Sequence, residues 1–338
     1  MTAIPAAFRG QAKACAALGS PLMARLMAGL ADQLAPGDPV ADRVLGWQGD
    51  PSSKADSVPL RLAGGLHALV LTGADPDLAA AYASGGDPTE AALAAIRAHP
   101  DHLLHWLTSP PQTNEVRRSA VLIAAAHWLT ARFGLPLILS ELGASAGLNL
   151  LWDHYALTVQ GQTFGPAKPA LTLTPDWTGA LPPQAPPTIV DRRGTDLNPL
   201  DPATDRLRLL AYLWADQPDR ITRTRAALDL AARTRPQVDR ADAADWLESR
   251  LATPTPAALH LVVHTVAWQY FPPATQARAL AAMDAAGRDA PLARLSMEAD
   301  SQIPGAAITL TLWPSGETLS LGRADFHGRW VDWHGPAL

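Results

Sequence analysis

The chain has one cysteine, Cys15, in 338 residues. That excludes an internal disulfide and any metal cluster built on several thiolates. Charge is also scarce: Asp, Glu, Lys and Arg make up 17% of the residues, and the formal net charge is −5. Neither a strongly basic nucleic-acid binder nor a charge-rich disordered chain has this balance. The densest basic group is Arg220, Arg223, Arg225, Arg233 and Arg235. It stands beside Asp219 and Asp229 on an expected helix and reads as a solvated face. Long apolar runs are missing too. The best candidate, Ser119 to Leu139, is broken by His127 and Arg132, whereas a membrane span needs about 18 apolar residues in a row. Arg9 and Lys13 interrupt the apolar part of the first twenty residues, against a signal peptide. The expectation is a soluble cytoplasmic protein with neither a membrane nor a nucleic-acid partner. The G-x-G-x-x-G dinucleotide motif and the H-E-x-x-H zinc motif are both absent. His99, His102 and His105 fan around a helix at i, i+3 and i+6 with no acidic partner motif, so no metal is expected.

What is plentiful is apolar surface. Apolar residues reach 48%, enough for a sizeable core. From Met1 to about Pro111 the pattern is wholly helical, with turn signals at Gly19-Ser20-Pro21, Pro36 to Pro39, Gly85 to Pro88 and Pro100-Asp101. Domains are expected at 1–112 (helical) and 113–338 (α/β). In the second, Thr113 is placed to cap a buried helix over Val116 to Phe133, followed by a strand at Leu137–Leu142. Tyr155 to Phe164 alternates about Gln160-Gly161 and reads as a hairpin inside an insertion of about 155–187. Strands are expected at 188–196, 237–241, 258–266 and 293–298, and helices at 203–214, 220–233, 244–251 and 274–286. Segments 308–312 and 318–321 form a closing hairpin, and 329–333 a further strand. This alternation predicts a doubly wound, mostly parallel sheet with an antiparallel C-terminal hairpin.

Several motifs fall at strand ends. L-I-L-S-E-L-G-A-S-A-G-L-N-L, Leu137 to Leu150, runs from a strand through Glu141 into a Gly/Ala/Ser turn. Gly143 and Gly147 leave room for a ligand against the backbone, and a following helix would aim its N-terminus there. The same G-A-S-A-G is also G-x-S-x-G, which makes Ser145 a candidate nucleophile with Asp300 and His327 as partners; no H-G-G-G-like oxyanion segment accompanies it. In G-T-D-L-N-P, Asp196 ends the next core strand and suits a ribose diol, or it is a plain turn former. Asp242 offers a third acid, with Ala243 leaving room for a flat ring; it either accepts from an exocyclic amine or caps a helix. His264, Trp268, Gln269 and Tyr270 follow the strongest buried strand. His264 is either a general base or a hydrogen-bonded core histidine. Asn114 and Glu115 form a polar cluster with Thr113 that fits helix capping or substrate contact.

Together, E-L-G-A-S-A-G-L-N, G-T-D-L-N-P, A-D-A-A-D-W-L, the strand ending H-T-V and the terminal hairpin resemble the class I S-adenosylmethionine-dependent methyltransferases. The resemblance covers about Thr113 to the C-terminus and implies a Rossmann-like core with S-adenosylmethionine as cofactor. It places Gly143, Ala144, Ser145 and Gly147 around the cofactor's methionine part, with Glu141 and Asn149 also in the cofactor site. It puts Asp196 on the ribose, and Asp242 and Ala243 at the adenine. Asn114, Trp268 and Gln269 then face a small-molecule substrate, with His264, Tyr270 or Glu115 as the catalytic group. This chain departs from the pattern at Ser145, which replaces the middle glycine, and in lacking an N-P-P-Y segment. The alternatives are a non-catalytic or sensor protein on the same fold and a serine hydrolase using Ser145. The whole chain also resembles a bacterial family known as a domain of unknown function, which implies no activity.

Overall fold

A computed structural model describes residues 3–336. Alanine, leucine and methionine favour helix in the first hundred residues. Seven helices form: α1 (Ala3–Ala17), α2 (Pro21–Gln33), α3 (Pro39–Leu45), α4 (Val58–Thr72), α5 (Pro76–Ala83), α6 (Thr89–Ala98) and α7 (Pro100–Leu107). Proline stands in the first turn of α2, α3, α4, α5 and α7, where an N–H has no intrahelical acceptor in any case.

The pattern changes after Thr113. A 3₁₀ turn, Val116–Arg118, enters α8 (Ser119–Phe133), which is buried on almost every side. Glu115, not the exposed Thr113, caps this start: its carboxylate accepts from the Arg117 N–H at 3.1 Å. β1 (Leu137–Leu142) follows. The helix expected after the glycine loop is instead a 3₁₀ segment, Asn149–His154, kinked at Leu151. Then come β2 (Ala156–Val159), β3 (Gln162–Phe164), β4 (Thr172–Leu173), β5 (Asp176–Gly179) and β6 (Ile189–Asp196). The expected hairpin is β2–β3, turning at Gln160-Gly161, and β4 pairs with β2 to make a small three-stranded sheet. The crossover from β1 to the parallel β6 therefore carries this small sheet and no α-helix.

The remaining elements are α9 (Arg206–Ala211), α10 (Pro218–Thr234), β7 (Val238–Arg240), α11 (Ala243–Arg250), β8 (Leu259–Thr265), α12 (Pro273–Ala286), β9 (Leu292–Glu298), β10 (Ala306–Trp313), β11 (Glu317–Ala324) and β12 (Trp330–Trp333). The main sheet has nine strands in the order β5-β12-β11-β10-β9-β8-β1-β6-β7. β7, β6, β1, β8 and β9 run parallel, and β10, β11 and β12 add antiparallel pairs at one side. The protein is thus α/β, with a large, mostly parallel sheet and a helical N-terminal region.

The chain divides into two compact units. One holds the chain up to Thr113 plus Thr204–Arg225; the other holds Asn114–Ala203 and the chain from Ala226 onward. The sequence pattern had assigned 203–214 to the α/β rhythm. Instead Trp214 joins Phe8, Leu26, Met27, Leu62 and Leu66 in the core of the helical unit. Asp216 accepts from the Ser20 hydroxyl and, at 2.9 Å, from the Leu22 N–H at the start of α2. In the other unit, Leu142, Val262 and Leu292 of the sheet meet Trp246 and Leu247 of α11 and Ala279 and Met283 of α12.

Candidate functional site

β1 lies between β6 and β8, so the chain builds outward on one side (β6, β7) and then returns to build on the other (β8, β9). Open α/β sheets bind ligands outside the carboxyl ends of their strands at such a reversal. Glu141 stands there. Strand alternation puts it on the face opposite Ser140 and Leu142. It is 2% exposed, and its Oε2 has no hydrogen-bond partner among the described residues. Burial, and then the Asp196 charge, hold its pKa well above the ordinary carboxylate value, against an opposing pull from Arg118.

The surrounding groups form one buried polar cluster. Asn149 accepts from the Ser119 hydroxyl at 2.8 Å, and its amide reaches the Glu115 carbonyl at 3.4 Å. Asn114 accepts from the Leu148 N–H at 2.9 Å, tying the glycine loop to the start of α8. Arg118 donates to the carbonyls of Thr265, at 2.9 Å, and Phe326, at 2.8 Å, holding the end of β8. Asn114 and Glu115 therefore secure backbone, as capping residues do.

Asp196 reaches the same loop from β6. Its Oδ2 accepts from the Ser145 N–H at 2.9 Å and its Oδ1 from the Asn198 N–H at 2.8 Å. Gly143 and Ala144 both donate to the Thr195 carbonyl, at 2.9 and 3.0 Å. The loop's amides are thus largely committed to β6. The glycines also have internal reasons. At Gly143 (φ +73°) a Cβ would lie 2.6 Å from the Ala267 Cβ, and at Gly147 (φ +69°) it would meet Val238 and Pro236 at 3.0 and 3.1 Å. The space expected for a ligand against these two residues is filled by protein. Ser145 is buried at φ +54°, a conformation unusual for a non-glycine residue.

Asp242 and Ala243 open α11. Asp242 Oδ1 accepts from the Ala244 N–H at 2.8 Å and Oδ2 from the Thr275 hydroxyl at 3.0 Å, so the helix-cap reading holds for it. Ala243 is buried beneath.

His264 is corrected most clearly. It is wholly buried, its Nδ1 donates to Glu298 Oε1 at 2.7 Å, and its Nε2 accepts from Arg294 Nε at 2.9 Å. Neither ring nitrogen keeps a lone pair for a substrate proton. Burial, supported by the neighbouring Arg294 charge, holds its pKa below the usual histidine value despite the Glu298 bond. Trp268 stacks on this imidazole at 4.8 Å and has the Arg294 guanidinium 4.2 Å from its ring centre, so it packs against the hydrogen-bonded His264–Arg294 pair. Gln269 is exposed and Tyr270 is 69% exposed, on a 3₁₀ turn away from any buried proton-transfer partner. Sequence reasoning missed Glu298 and Arg118. Glu298 carried the same signal as Glu141 and Asp196, an acid closing a core strand. Arg118 stood three residues after Glu115.

Of the residues a hydrolase reading would need, Asp300 is already engaged elsewhere. Asp300 spends both carboxylate oxygens on Arg323, at 2.9 and 3.0 Å. Among the described residues no group of three or more His, Cys, Asp or Glu is placed to hold a metal ion. No helix among them is long and apolar enough to cross a membrane.

A family profile described as "Uncharacterized protein conserved in bacteria (DUF2332)" matches residues 5–333. The chain belongs to that family. No curated protein and no solved structure matches it. Membership spans both units, so the helical region and the α/β region occur together in the family.

Proposed function

We propose that the chain binds S-adenosylmethionine at the carboxyl end of β1 and transfers its methyl group to a small-molecule acceptor. The observation that carries this reading is the pair of acids closing adjacent parallel strands at the reversal in strand order, with Glu141 keeping a buried, unpartnered oxygen. Leaving such an atom unsatisfied is costly, and a ligand ammonium group would satisfy it. The two acids fit the cofactor; the loop glycines lend no support, since protein fills the space beside them. Glu141 would hold the cationic end, and Asp196 would offer its remaining lone pairs to the ribose hydroxyls. The bound cofactor supplies a methyl group on a sulfonium centre. The protein's share is to align the nucleophile and take up its proton. His264, committed to Glu298 and Arg294, and Glu115, committed to the Arg117 N–H, are both occupied, so an acceptor that carries no proton to remove suits this reading best.

The same commitment of His264 favours a second reading, cofactor binding without turnover. Calorimetry with S-adenosylmethionine and S-adenosylhomocysteine tests the first step. Saturable binding weakened about tenfold or more by Glu141→Gln is expected. Absence of heat from both ligands in the wild-type protein would reject the cofactor. Binding without methyl transfer across a broad acceptor screen would select the second reading.

A further inference from the structure

The helical unit holds a cleft of its own, about 360 Å³, between the end of α7 and the segment Thr204–Tyr212. That volume lies in the range of small-molecule sites. Its aromatic wall is built deliberately into the helices. Trp106 and Tyr212 meet edge to face with ring centres 5.5 Å apart, and His102 lies 5.9 Å from Trp106. His102 is held by the Gly65 carbonyl at 3.0 Å. Two adjacent glycines inside α4 make room for the rings. A Cβ at Gly64 would lie 2.5 Å from the Tyr212 ring, and one at Gly65 would lie 3.1 Å from the Trp106 Cβ. Glycine weakens a helix interior, so this pair stands against helix propensity, and its missing side chains are what seat the rings.

The polar wall is Arg208. Its guanidinium donates to the Pro110 carbonyl at 3.3 Å and lies within hydrogen-bonding reach of the Tyr212 phenol. Nε is buried without a hydrogen-bond acceptor. An arginine lining a cleft with open donors is an anion site by its fork geometry. The α/β unit has a larger groove, about 450 Å³, that makes the contrast. Both of its arginines are already spent, Arg193 on Asp239 and Arg250 on Asp191, so nothing there calls for an anion.

We infer that the α7–α9 cleft binds a planar aromatic acid, with the ring against Trp106 and Tyr212 and the carboxylate on Arg208. This site is independent of any cofactor at β1. Calorimetry of the full chain with indole-3-acetate tests it, with indole-3-acetamide as the neutral comparator. Saturable binding of the acid is expected, with the amide about tenfold or more weaker. Arg208→Ala should weaken the acid by a similar factor and leave the amide little changed. Leu207→Asp supplies a second variant at the cleft's lip, where the side chain is 36% exposed. It should weaken the acid alone, by repulsion. The proposal is overturned by the absence of saturation with a Kd below about 1 mM, or by equal affinity for acid and amide. It is also overturned if the acid's affinity is unchanged in Leu207→Asp.

Discussion

Glu141 shows how one residue carries both a functional advantage and a stability cost. A carboxylate buried at the end of a parallel strand, with one oxygen unpartnered and Asp196 nearby, resists ionisation. Its folded pKa is raised, so the protonated form is the one the fold prefers. The stabilisation is therefore complete below the ordinary glutamate value and is lost as pH rises through the raised one. Glu141→Gln keeps the shape and removes the charge. The variant should melt at a higher temperature than the wild type at pH 8 and at nearly the same temperature at pH 4. A melting series by differential scanning fluorimetry across that range checks this; an unchanged gap at both ends would mean that Glu141 is not perturbed. The opposite direction is expected for cofactor affinity, which the substitution lowers. A residue that destabilises the empty fold and strengthens ligand binding belongs to a site.

At the scale of elements, the end of β8 and the turn after it hang on Glu298. Its Oε1 accepts from His264 Nδ1 and from the N–H groups of Ala267 and Trp268, at 2.7, 3.0 and 3.1 Å. These bonds hold Val266 at φ +53°, where a β-branched residue is strained. Glu298→Ala leaves three donors without their acceptor and the half-buried Arg294 without a neighbouring opposite charge, and should cost about 3–5 kcal/mol. Chemical denaturation measures it, and a loss below about 1 kcal/mol would show that the turn holds itself. Most of these elements were legible in the sequence because hydrophobic periodicity is a local signal. β6, β8, β9 and the β10–β11 hairpin fall within two or three residues of their expected bounds. What was not legible depends on contacts distant in the chain. β5 is four residues, Asp-Trp-Thr-Gly, that become a strand only by pairing with β12. The segment after Gly147 has helical composition, yet Asn114 and Ser119 take the polar groups of its first turn, and it closes as a 3₁₀ segment. In the site, the acids at strand ends could be read from their positions. Whether His264 kept a free nitrogen could not, because Glu298 and Arg294 come 34 and 30 residues later.

The whole molecule adds a constraint that neither unit shows alone: the helical unit is discontinuous, taking Thr204–Arg225 from the far side of β6. Within that segment Leu209, Leu210, Tyr212, Leu213 and Trp214 are all buried. Trp214 belongs to the helical core, and Tyr212 rests against Gly64 of α4. A cut after Thr113, one residue past the boundary that composition suggests, would therefore strand these side chains. Their exposure would create an apolar patch on the remaining chain, the kind of surface that drives association. A chain beginning at Asn114 should bind a hydrophobic dye such as 8-anilinonaphthalene-1-sulfonate and elute as aggregate in size-exclusion chromatography. Replacing residues 204–217 in that shortened chain with a Gly/Ser linker removes the stranded aromatics and should lower both signals. If the shortened chain with 204–217 intact elutes as a compact monomer that binds no dye, that segment does not need the helical unit, and the division of the chain would have to be redrawn at residue 113.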